Sequence, residues 1–160
     1  FLTPTSLPTG EKETACCGNG ESAVNATDEM VRIILQFYPT AQAIYLFGTY
    51  GTPAEWPTSD VDLAVLLPHQ TARQQPSLAL TPCHLALEAA LDRSVDLINL
   101  REVSTVFQCQ IMAAERLIYV ADDLAVREFE MLTLSFYQKL NEERAAILAE
   151  VDRTGKAFAV

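Results

Sequence analysis

Apolar positions along the chain alternate between helical spacing and short continuous runs. From Asp28 to Tyr38, Met30, Ile33, Ile34 and Phe37 recur at the spacing of one helix face. Thr27 is placed to cap that helix, Asp28 and Glu29 suit its positive end, and Pro39 stops it. Ala43 to Phe47 is an unbroken apolar run, which predicts a buried strand. Gly51 to Ser59, with two prolines and Trp56, predicts a loop, and Asp60 to Leu67 a second strand ending at Pro68. His69 to Pro76 predicts an exposed connection, and Ser77 to Arg93 a helix with Pro82 near a start or kink. Ser94 to Leu100 predicts a third strand, Val103 to Arg116 a helix, and Leu117 to Val120 a short fourth strand. Leu124 to Val151 lacks Pro and Gly and predicts a long amphipathic helix or a bent pair, fraying from Ile147.

This alternation predicts an α/β (α+β) domain. Its sheet is small and mixed, with helices packed mainly on one face, acids at the open face, and a C-terminal helix added. Residues 1–22, rich in Thr, Ser, Pro and Gly, predict a flexible or extended N-terminal arm. Residues 23–160 then form the domain, with its long helix starting at about 124. On that helix Phe129, Leu132, Phe136 and Leu140 recur on one face, which either packs on the domain or docks a partner.

Composition narrows the partners. A length of 160 residues suits one core, and 49% hydrophobic residues make a globular chain the default. No apolar run is long enough to span a bilayer, and no basic stretch precedes an apolar core at the start. The expectation is a cytoplasmic protein with neither membrane span nor secretory leader. The chain opens on Phe1 rather than Met, as one lacking its first residues would. Net charge is −10, and the 11 Lys and Arg are scattered, which argues against a long nucleic-acid substrate. An acidic surface suits a basic protein or a polycationic small molecule, and equally serves solubility. Cys16, Cys17, Cys83 and Cys109 show no disulfide framework, and Cys83-His84 lacks a second pair at metal-ligand spacing.

The candidate chemistry sits where the first strand gives way to the second. Asp60 and Asp62 are one residue apart on a strand, so both side chains point the same way. Two carboxylates on one face repel, and a divalent cation removes that objection. A calcium-type or capping pair in a turn is the plain alternative. Asp96 is the single carboxylate in the apolar third run, and taken alone reads as a strand-edge aspartate bonded to a turn. Gly18-Asn19-Gly20 follows no strand and makes a poor phosphate loop.

Gly48-Thr49, ten residues, then Asp60-Val61-Asp62 matches the G-[ST]-x10-D-x-D signature of the polymerase-β-like nucleotidyltransferases. Ser59-Asp60-Val61-Asp62-Leu63 is similar to the S-D-x-D-L form of its small members. In layout the chain resembles the minimal nucleotidyltransferase (MNT) antitoxins of HEPN/MNT toxin–antitoxin pairs over roughly residues 28 to 150. The resemblance implies that Asp96 joins Asp60 and Asp62 as a metal ligand and candidate general base. It also implies that Gly48, Thr49 and Ser59 bind nucleotide. Mg²⁺, two ions, is the implied metal and ATP the substrate; a formal −3 from the carboxylates against +4 leaves a site that accepts a triphosphate. One departure stands out: small members read G-S-x-A-R-G, and Thr52 occupies the Arg position. A loop cation is missing, leaving weaker nucleotide binding or compensation by Arg73, Arg93 or Arg101. The implied activity is transfer of AMP from ATP to a hydroxyl, a tyrosine, of a partner HEPN ribonuclease toxin. Two other readings stay open: masking of the toxin without catalysis, and nucleotidylation of an aminoglycoside-type small molecule.

Overall fold

In the computed structural model, which describes residues 19–154, the strands form where the apolar runs stand. β1 (Ala43–Phe47), β2 (Val61–Leu66), β3 (Val95–Asn99) and β4 (Leu117–Val120) make one sheet in the order β3-β2-β1-β4. β1 runs antiparallel to both β2 and β4, and β2 pairs parallel with β3, so the sheet is mixed as the pattern predicts. The parallel pair requires a crossover, supplied by α2 (His69–Gln74) and α3 (Pro82–Leu91).

Helix boundaries follow their caps. Thr81 Oγ1 accepts the His84 N–H at 3.3 Å and Pro82 takes the first turn, where its missing N–H costs nothing. Pro82 therefore starts α3 rather than kinking it. Ser104 caps α4 (Thr105–Ala113) in the same way. α1 (Asn19–Phe37) begins well before Asp28, so Thr27 lies inside the helix rather than at its cap. Of the N-terminal arm read from residues 1–22, the last four belong to α1; the remainder lies outside the described residues, as do Cys16 and Cys17. The expected connection at 69–76 contains α2 instead. Asn99, 2% exposed, donates from Nδ2 to the carbonyls of Ala72 and Gln75, a tertiary anchor that sequence periodicity does not register. α5 (Asp123–Thr154) is a single helix, continuing through Ile147 where fraying was expected.

Both sheet faces carry a core. α1, α2 and α3 cover one, where Met30, Ile34, Leu63, Val65, Leu87 and Leu97 pack together. Three of the five helices among the described residues therefore lie on one face. The other face has a smaller core of its own, Tyr45, Phe47, Ala64, Leu66, Ile111, Val126 and Phe129, beneath α4 and the first turns of α5. Because β1 and much of β2 are buried on both faces, they read as continuous apolar runs rather than alternating ones. The apolar stripe of α5 divides: Phe129 is core, whereas Leu132 and Phe136 are exposed.

Candidate functional site

Strand directions bring four chain ends to one edge of the sheet. β2 and β3 begin there, β1 ends there, and β4, antiparallel to β1, begins there. Asp62 pairs in register with Asp96 on β3. In-register residues of parallel strands share a face, about 4.8 Å apart. Asp60 stands one residue before β2, two before Asp62, with Val61 N–H donating to Ser94 O at 2.9 Å. Asp60 and Asp96 are exposed and Asp62 is half-buried. Burial raises the Asp62 carboxyl above its usual range, and the charges of Asp96 and then Asp60 push it further in the same direction. The structure thus brings Asp60, Asp62 and Asp96 to one edge. Among the described residues no three acidic, His or Cys side chains are gathered closely enough to form a ready-made metal cluster.

Gly48 shows why a small residue ends β1. Its φ is +68°, and a Cβ placed on it would stand 1.9 Å from Asp62 Oδ2. Only glycine lets the carboxylate lie against the backbone there. Thr49 follows, exposed, with its Oγ1 donating to Ser59 Oγ at 3.1 Å. Ser59 Oγ also accepts from Trp56 N–H at 3.0 Å. The two ends of the ten-residue spacing are therefore tied together, and a change in loop length would break the tie.

A second clasp was not read from the sequence. Glu55 Oε2 accepts Gly51 N–H at 2.9 Å, and its other oxygen pairs with Arg93 Nη1 at 2.7 Å. Arg93 also reaches Ser59 O at 3.4 Å and lies over the Tyr50 ring at 5.3 Å. One ion pair thus holds the start and finish of the loop. The parallel register places Arg93, two residues before Val95, beside Ser59, so the β2–β3 pairing is the signal that finds it.

Of the cations that could offset Thr52, Arg73 and Arg101 are at the wrong edge. Arg101 follows the far end of β3, five residues beyond Asp96 and roughly 16 Å away at strand rise, and Arg73 lies in α2 beyond the far end of β2. Arg101 is spent there, donating to Leu67 O at 2.6 Å and Gln42 Oε1 at 3.0 Å. Cys83 is core, and His84 Nε2 meets Val95 O at 2.9 Å, tying α3 to β3.

Three carboxylates and a hydroxyl-bearing glycine turn are hard oxygen donors beside backbone that a phosphate can approach closely. That donor set fits a small hard cation such as Mg²⁺. Residues 29–124 match the family described as polymerase beta, nucleotidyltransferase. The protein adenylyltransferase MntA of Shewanella oneidensis is 33% identical over 127 residues, covering 78% of this chain and 86% of MntA. A toxin–antitoxin crystal structure with AMP-PNP superposes with a TM-score of 0.61 at 30% identity, over 78% of this chain and 97% of that one. A structure of a tri-AMPylated Shewanella oneidensis HEPN toxin with its MNT antitoxin gives 0.58 at 30% identity, over 79% and 96%. The motif, the sheet that presents it and the extent of these matches lead to one conclusion: the chain belongs to the polymerase beta nucleotidyltransferase family.

Proposed function

We propose that this chain is a Mg²⁺-dependent protein adenylyltransferase that silences a partner HEPN toxin by moving AMP from ATP onto a tyrosine hydroxyl. The observation that carries the reading is the register of Asp62 against Asp96 beside Gly48. MntA, similar over most of its length, bears the name of this activity. A related complex holds an AMPylated HEPN toxin. No helix among the described residues is long and apolar enough to cross a membrane, and the proposed reaction belongs in the cytoplasm, where ATP is supplied.

In this reading Asp60, Asp62 and Asp96 hold the metal. Bound Mg²⁺ supplies charge neutralisation of the triphosphate and eases ionisation of the attacking hydroxyl. The phenol, with an ordinary pKa of about 10, needs a proton acceptor at neutral pH, and in this reading the exposed Asp96 carboxylate takes that role. The bond from the phenol oxygen to the α-phosphorus forms as the bond to the bridging oxygen breaks, and pyrophosphate leaves. Gly48 keeps the backbone flat against Asp62, and Thr49 turns its hydroxyl from Ser59 to a phosphate oxygen. The Glu55–Arg93 pair fixes the loop that carries both.

The test combines labelled ATP and Mg²⁺ with a HEPN toxin and, in a parallel reaction, with an aminoglycoside. Label on the toxin's tyrosine is the expected result. Neutralisation without label supports masking, and label on an aminoglycoside supports the small-molecule reading; either removes the proposal. Thr49→Ala should raise KM for ATP about tenfold, the scale of one hydrogen bond to a charged group, while Thr49→Ser stays close to the parent. Equal KM for Ala and Thr would leave the phosphates to backbone N–H groups alone.

A further inference from the structure

Resting on the nucleotidyltransferase reading above, we propose that Arg116 supplies the loop's missing cation and grips the distal phosphates of ATP. Its backbone is fixed at the active edge, where Leu46 N–H donates to Arg116 O at 2.9 Å, two residues before Gly48. Glu115, at φ 53°, takes the left-handed turn that delivers Arg116 to the start of β4. The guanidinium reaches the loop: its Nη2 lies 3.3 Å from where a Gly51 Cβ would stand. Gly51 has none, so the guanidinium stays open to what the loop holds.

One donor of Arg116 is uncommitted among the described residues. Its Nη1 is buried and has no hydrogen-bond partner among the described residues. A buried charged donor without an acceptor is rare and calls for a function, and anion binding is the function a guanidinium is shaped for. Its competitor is engaged, since Arg93, the other arginine beside the loop, is paired with Glu55. Arg73 and Arg101 stand at the opposite edge of the sheet.

Charge order along the edge fits the ligand. From β3 to β4 come Asp96, Asp62, Gly48 and then Arg116. Asp60, Asp62 and Asp96 would hold the metal at one side of this row, and Arg116 at the other would meet the distal phosphates across the Gly48–Gly51 turn. On a chain of net charge −10, a polyanion needs such a counter-charge beyond the metal.

Binding of ATP, AMP and pyrophosphate by the full chain with Mg²⁺, read by calorimetry beside a thermal melt, tests this. In Arg116→Met the affinities for ATP and pyrophosphate should each fall about tenfold or more, with AMP binding unchanged. Arg116→Lys should recover part of that loss, since it keeps the charge without the fork. KM for ATP should rise far more than kcat falls. Unaltered ATP and pyrophosphate binding in Arg116→Met would overturn the assignment. So would equal loss of ATP and AMP together with a lowered melting temperature, which would mark Arg116 as a prop for the loop. If Arg116→Met does not fold, Arg116→Lys decides alone: ATP and AMP affinities falling in parallel would overturn it. A parent protein that binds no nucleotide would remove the underlying reading instead.

Discussion

Replacing Asp60 and Asp62 together with Asn should lower AMP transfer about 10³-fold or more while the protein melts at a higher temperature than its parent. The rate loss follows from taking away two of three proposed metal ligands, on the scale that loss of charge stabilisation at a reacting centre produces. The gain in stability follows from the electrostatics of the edge. Asp62 has its pKa raised by burial first, then by Asp96 and Asp60. The folded protein therefore holds the Asp62 proton more tightly than the unfolded chain does. Stability is lost as pH rises from the ordinary carboxylate value to the raised one, and that cost is fully present at neutral pH. Asn removes it, so the mutant's advantage should appear at pH 7 and vanish below about pH 4, where Asp62 is protonated in both states. Solvent screens this half-exposed group, so a rise of roughly 1–3 °C is expected. Added Mg²⁺ should stabilise the parent and leave the mutant unmoved. Full transfer activity in the double mutant would end the metal-site assignment.

Those aspartates were readable because strand alternation and a fixed offset from Gly48-Thr49 both act over short sequence distances. The four strands were legible for the same reason: each is an apolar run closed by turn residues. What the sequence hid depends on contacts between distant segments. α2 is held by Asn99 from 27 residues away, and no local pattern announces that bond. Glu55 and Arg93 are 38 apart and meet only because β2 and β3 pair in parallel. Arg116 reads as the end of a helix until β4 is laid antiparallel to β1, which carries it round to the acids. Arg101 failed as a candidate cation for the converse reason: following β3, it lies a full strand's length from Asp96. The sequence reading started α1 too late, at Asp28, and frayed α5 too early, at Ile147, because helix ends are set by caps and by packing, and polar stretches supply little periodicity to mark them.

Gly48→Ala should cost about 100-fold in kcat, and a paired substitution at Gly51 separates the reasons. Both glycines have a positive φ, +68° at Gly48 and +67° at Gly51, so an Ala at either incurs about 1–2 kcal/mol of left-handed backbone strain. Their surroundings differ. At Gly48 the new Cβ would lie 1.9 Å from Asp62 Oδ2 and 2.9 Å from its Cγ, closer than atoms can approach, so the carboxylate has to move. A ligand displaced by about 1 Å at a reacting centre loses on the order of 10²-fold in rate. At Gly51 the nearest atom is Arg116 Nη2 at 3.3 Å, the end of a flexible side chain that can yield. Gly51→Ala should therefore lower the melting temperature by a comparable amount and raise KM for ATP, yet keep kcat within about tenfold of the parent. Steady-state kinetics and thermal melts on the two variants supply the comparison. Matching kcat losses at matching stability would mean that backbone strain alone governs the loop, and that the contact between Gly48 and Asp62 has no special part in the chemistry.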